Sequence, residues 1–93
     1  MDKEEFCKIY LVSEFLNYIR NKNYSLNTII SYINDLYYFH EFVKMDFDKV
    51  KYDDIRDYLE YLNLKKEKST SVSRKISSLK SFYKFLYKND YMD

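Results

Sequence analysis

Twelve tyrosines, one histidine, one cysteine and three arginines are the side chains of this 93-residue chain with the most chemistry to offer. Little of it points to catalysis. An unactivated phenol has a pKa near 10 and attacks nothing without a neighbouring base or a cationic pocket. His40 lies on an apolar stripe, which suits a packed ring better than a ligand or a base. Other metal-ligand types at suitable spacing are missing, so no metal and no cofactor is expected. Cys7 has no partner for an internal disulfide, and its apolar-periodic surroundings suit a small packed residue better than a reactive thiol. No catalytic residue is expected.

The remaining chemistry is that of binding, and it is concentrated. Residues 1–64 carry eight basic and twelve acidic side chains, a net of −4. Residues 65–93 carry eight basic and three acidic ones, a net of +5, so the whole-chain charge of +1 hides a dipolar molecule. No acidic residue lies between Lys68 and Asn89. On a helical wheel, Arg74, Ser77, Ser81, Lys84 and Lys88 face away from the stripe Val72-Ile76-Leu79-Tyr83. Small hydroxyl side chains let a helix approach a phosphate backbone, and the cations add the electrostatic attraction. A major groove is wide enough to admit such a helix. The alternative is a solvated surface in a lysine-rich protein.

Four helices should position these groups. Phe6, Ile9, Tyr10, Val12, Phe15, Leu16 and Ile19 recur at spacings of three and four, predicting one helix from about Lys3 to Lys22. Ser25 is a good N-cap for a second, Leu26 to Lys44, carrying Ile29, Ile33, Leu36, His40 and Val43. Met45 to Lys51 reads as a connector. Asp53 is expected to cap a short third helix with Ile55, Tyr58, Leu59 and Leu62. Ser69, Thr70 or Ser71 should cap the last, which ends near Lys88. The fold expected is all-α: a small orthogonal bundle of four or five helices in a single domain, residues 1–93.

Other classes are excluded on composition. The chain has no Gly and no Pro, where average usage would give roughly ten together. That argues against a turn-rich all-β domain and against glycine-rich phosphate loops. No stretch has the pattern of a signal peptide or the length of a membrane span, so a cytoplasmic setting without a membrane partner is expected.

Two segments resemble the tyrosine recombinases of the phage integrase or Xer type. Ser25-Leu26-Asn27-Thr28-Ile29-Ile30-Ser31-Tyr32-Ile33-Asn34-Asp35-Leu36 is similar to that family's pattern of Ser, two residues, Thr, three residues, Tyr, two residues and Asp-Leu, with Phe39 and Phe42 following. Ser71-Val72-Ser73-Arg74-Lys75-Ile76 to Phe82-Tyr83-Lys84-Phe85-Leu86 resembles its second signature, a Ser-x-x-Arg opening with a basic-aromatic ending. The resemblance implies an N-terminal, SAM-like core-binding domain that clamps one face of double-stranded DNA during integration or recombination. It implies DNA contacts from Asn27, Thr28, Tyr32, Arg74 and Lys75, with Ser78, Lys80, Ser81 and Lys84 as further candidates. Other recombinase protomers would be partners of the full-length protein, through the first helix with Glu4, Glu5 and Glu14. The isolated chain is expected to be a monomer.

The family's catalytic set is a tyrosine, two arginines, a lysine and a His-x-x-Arg motif. Here His40 is followed by Glu41-Phe42-Val43, so that motif is not present. The chain is expected to be a piece of a longer recombinase without the catalytic domain. The rival reading is a helical protein–protein interaction module, since Tyr37, Tyr38, Tyr61 and Tyr87 cannot all be buried in so small a core.

Overall fold

The computed structural model describes residues 1–92. It is all-helical: α1 (Lys3–Phe6), α2 (Tyr10–Asn21), α3 (Leu26–Val43), α4 (Tyr52–Leu64) and α5 (Ser69–Lys88), with a 3-10 turn at Phe47–Lys49. The expected SAM-like, all-α bundle of four principal helices is present, with α1 as a short fifth.

The first predicted helix is divided in two, and geometry explains why. Phe6 and Phe15 are nine residues apart, which on a continuous helix places them about 180° from each other. Both are fully buried. The chain breaks at Cys7–Ile9, where the N–H groups of Lys8 and Ile9 bond three residues back and Ile9 turns to an extended conformation. Phe6 can then pack against Tyr37, His40 and Phe47, while Phe15 meets Tyr32, Phe82 and Phe85. Asp2 caps α1 by accepting from the Glu5 N–H at 2.8 Å.

Ser25 caps α3 as expected, accepting from the Thr28 N–H at 3.2 Å. The other two expected caps are different. The N-cap position of α4 is Lys51, and Asp54 reaches back to accept from the Lys51 N–H at 2.8 Å. Asp53 instead pairs with Arg56 on the surface. Lys68 occupies the N-cap position of α5 without a side-chain bond, and Ser69, Thr70 and Ser71 are already helical. These segments offered several oxygens within one turn, and packing of the following apolar residues decided the register.

With no glycine available, the left-handed turns fall to Asn23, Lys44, Lys66 and Asp90. A side chain in that region costs about 1–2 kcal/mol relative to the right-handed one.

α3 packs against every other helix. Its buried residues Ile29, Leu36 and Phe39 meet Leu79, Phe82 and Leu86 of α5 in one aromatic-rich core. Phe47, from the connector, plugs the middle: its ring lies 4.8 Å from Phe82 and 6.0 Å from Phe6, and its carbonyl accepts from the Tyr83 hydroxyl at 3.0 Å. His40 is half-buried, its ring 5.2 Å from Phe47, as a packed histidine should be. Cys7 is half-buried, and desolvation raises its thiol pKa, with Arg20 opposing more weakly. Of the four surface tyrosines expected, Tyr38, Tyr61 and Tyr87 are exposed and Tyr37 is half-buried.

Two predictions follow from the core and its turns. Burial, seconded by the charge of Asp35, pushes the Tyr58 phenol up to about 12. Burial raises Tyr83 as well. The unfolded chain releases these protons near pH 10 and the folded chain holds them, so stability should fall as pH rises above 10. Ultraviolet titration should show phenolate from these two rings only together with loss of helical circular dichroism. Lys66→Gly, which relieves a left-handed residue on the surface, should raise stability by about 0.5–1 kcal/mol in urea unfolding.

Candidate nucleic-acid interface

The two segments singled out in the sequence meet at a buried carboxylate. Asp35, on the inner side of α3, is 1% exposed. It accepts from Arg74 twice, from Nε at 3.2 Å and from Nη2 at 2.8 Å, and from the Ser78 hydroxyl at 2.7 Å. Arg74 and Ser78 are one turn apart on α5, so both can address one acceptor. This fixes how α5 is rotated against α3.

That rotation sets a polar face outward. Thr28, Ser31 and Tyr32 of α3 share a shallow groove with Arg74, Ser77 and Ser78 of α5. Further along α5 it adjoins a second cleft of about 290 Å³ whose lining includes Tyr18, Lys22, Tyr24, Tyr32, Ser81, Lys84 and Lys88. Tyr32 borders both. Its ring packs edge-on against Phe15 at 5.4 Å and stacks on Tyr24 at 6.2 Å, and its hydroxyl donates to Ser81 at 3.3 Å. Tyr32 is therefore half core residue and half surface residue. No Asp or Glu lines either groove. From Arg74 to Lys88 the face extends about 21 Å along the helix.

One cation of the second cleft, Lys22, rests on an aromatic ring. The Lys22 ammonium lies 5.0 Å from the Tyr18 ring centroid. Tyr18 beside it raises its pKa above the usual lysine value. Lys84 and Lys88 are exposed on successive turns. Directly after Tyr24, the start of α3 presents N–H groups that no helix residue can accept from, a natural place for an anion. Thr28 is committed there in part, its hydroxyl 2.9 Å from that of Ser25.

The expected contact residues divide accordingly. Thr28, Tyr32, Arg74, Ser81 and Lys84 lie on one face, with Asn27 exposed at the start of α3. Ser78 borders the same groove but is buried, and its hydroxyl belongs to Asp35, so it supports Arg74 from behind. Lys75 is turned away: it pairs with Glu67 at 3.0 Å, its side chain only 13% exposed, and it lines a separate groove with Tyr38, Phe42 and Tyr61. One residue of helix rotates a side chain by about 100°, enough to move Lys75 to the α4 side. Lys80 is exposed and borders neither groove.

Ser31, Lys22 and Tyr24 join this face without having been expected there. Ser31 follows Thr28 by three, a helical spacing visible in the sequence. Lys22 and Tyr24 stand at the turn between α2 and α3, and only packing brings them beside α5. Among the described residues, no three His, Cys, Asp or Glu side chains group as metal ligands, and no helix is long and apolar enough to cross a membrane.

The pair at the centre should be structural as well as electrostatic. Arg74→Ala leaves a buried carboxylate with Ser78 as its one partner. Removing one member of a buried pair costs about 3–5 kcal/mol, and the half-exposed guanidinium reduces that to about 2–4 kcal/mol here. Lys84→Ala, on the same face, should stay within about 0.5 kcal/mol of the parent in urea unfolding.

The family described as phage integrase, N-terminal SAM-like domain, matches residues 12–90. The tyrosine recombinase XerC of Listeria welshimeri is 41% identical over 85 residues, covering 86% of this chain and 28% of that protein. XerC of Leptospira interrogans is 45% identical over 82 residues, covering 83% of this chain and 26% of that protein. For XerC of Staphylococcus haemolyticus the identity is 40% over 80 residues, covering 82% of this chain and 27% of the relative. The chain thus spans about a quarter of the length of the curated relatives it matches. No solved structure gives a significant match.

Proposed function

Because this chain belongs to the phage integrase N-terminal SAM-like domain family, we propose that it is a DNA-binding module that holds a tyrosine recombinase on its target duplex. The observation that carries this reading is the face shared by α3 and α5. Hydroxyls and cations line it for about 21 Å, and neither of its grooves contains a carboxylate. That arrangement suits a polyanion with regularly spaced phosphates. Lys22, Lys84 and Lys88 supply the long-range attraction, and the α3 N-terminus with Thr28 and Ser31 supplies hydrogen bonds to the backbone. Asn27, Tyr32, Arg74 and Ser81 complete the proposed surface.

In this role the module contributes position and affinity, and the chemistry of strand cleavage belongs to the parts of the recombinase beyond it. One clamped face of a duplex gives weak binding, so the isolated chain should bind only at low salt. Other protomers of the recombinase are proposed partners, and the cytoplasm is the proposed setting.

Fluorescence anisotropy with a mixed-sequence duplex tests the reading. Affinity should fall steeply as salt rises, in proportion to the phosphates neutralised. The double substitution Lys84→Glu with Lys88→Glu should weaken binding at low salt by at least tenfold and flatten the salt dependence. Lys75→Ala, on the far side, should leave both unchanged. Binding that ignores salt, or is lost equally with Lys75→Ala, would refute this surface and favour an aromatic protein interface.

A further inference from the structure

We propose that Asp35 is a positioning residue for DNA specificity: it holds Arg74 as a charge-neutralised fork whose free edge reads a guanine. The proposal rests on the DNA-binding reading above and adds to it a division of labour along one face.

The geometry of the pair is the starting point. A guanidinium has five N–H donors in one plane. Asp35 takes one from Nε and one from Nη2, the side edge of the group. Three donors remain, on Nη1 and Nη2, and two of them, one from each nitrogen, form the end-on edge that makes parallel hydrogen bonds to a planar acceptor pair. Arg74 is 53% exposed while Asp35 is 1% exposed. The carboxylate therefore lies on the buried side of the pair, and Arg74 borders the groove of Thr28, Ser31 and Ser77. Ser78 gives Asp35 a third hydrogen bond and fixes the carboxylate plane.

The charge of the pair decides what that edge is suited to. Arg74 and Asp35 together are close to neutral, so this arginine contributes little to phosphate attraction. An ordinary phosphate-binding arginine has no use for a buried acid behind it. A base-reading arginine does. The acid restrains the side chain in advance and removes its pull toward any nearby phosphate. The O6 and N7 acceptors of guanine in the major groove match an end-on guanidinium, the commonest specific contact of this kind. The unneutralised cations, Lys22, Lys84 and Lys88, lie in the adjoining cleft, where they can hold the backbone.

Selection from a duplex pool with a randomised centre, at low salt, tests the proposal. It is paired with anisotropy on one mixed-sequence duplex over a salt series. The parent chain should enrich a guanine at one position. Arg74→Lys keeps the charge and loses the fork, so that preference should fall about 5- to 150-fold. Asp35→Asn frees the arginine charge. Binding to the mixed duplex should tighten, the salt slope should steepen by about one phosphate, and the guanine preference should fall. Damage to the fold would weaken binding, the opposite direction. Should Asp35→Asn fail to fold, Arg74→Lys and Ser78→Ala, judged folded by circular dichroism, carry the test. A guanine preference that survives Arg74→Lys overturns the proposal, as does duplex binding by the parent chain with no guanine preference at all. Absence of any salt-sensitive binding would instead refute the DNA-binding function itself.

Discussion

One buried carboxylate determines how the two longest helices meet. Asp35 must be solvated by something when α3 packs against α5, and water is excluded at 1% exposure. An unpaired buried charge is costly, so α5 can dock only in the rotation and register that bring Arg74 and Ser78 to it. Every other arrangement of α5 leaves that cost unmet. Among the described residues, no buried side-chain nitrogen or oxygen is without a partner. An ion pair of this kind adds less net stability than an apolar contact of the same size could. It does determine which face of α5 is inside. Once Asp35 selects that face, Leu79, Phe82 and Leu86 enter the core, and Ser77, Lys84 and Lys88 are left outside.

The aromatic core follows the same logic at lower cost per contact. Without glycine or proline, the chain cannot bend where it pleases, and its turns are made by Asn, Lys and Asp residues. The breaks occur where the core needs them. The interruption at Cys7–Ile9 lets Phe6 and Phe15 enter from different directions. Phe47 fills the space among Phe6, Phe39 and Phe82, and the Tyr83 hydroxyl ties its backbone down. Edge-to-face ring pairs favour discrete geometries over sliding contacts. Phe6–Tyr37, Phe15–Phe82 and Phe47–Phe82 are pairs of this kind.

Much of this was legible in the sequence, and what was not has identifiable causes. Helical periodicity gave α3 and α5 nearly to the residue, because each has one apolar stripe and a clear end. It joined α1 to α2, because periodicity counts apolar residues and does not ask whether Phe6 and Phe15 point the same way. The caps of α4 and α5 were displaced by a residue or more, since several oxygens competed within one turn. The outward face of α5 was visible on a wheel. The commitment of Lys75 to Glu67 was not, because it depends on how the turn before α5 folds back. The same holds for Lys22 and Tyr24, which reach the site from another helix junction. Asp35 and Arg74 both stood in the patterns that resemble the recombinases, but nothing in either pattern says that one binds the other.

The charge distribution gives the arrangement its direction. The excess of acid lies in residues 1–64, on the exposed starts of α1 and α4 and in the connector at Asp46 and Asp48. Both grooves of the α3–α5 face are free of carboxylates, and the acid beneath them, Asp35, is already paired. A duplex therefore meets an attractive patch on a molecule whose total charge is near zero, an attraction felt over about one Debye length, 8 Å at physiological salt. Beyond that distance the near-zero net charge gives little attraction. A module with these properties gains little from wandering on bulk nucleic acid, and gains most from being delivered already oriented. The weak total charge and the basic face are thus two parts of one arrangement, which favours contact in one orientation.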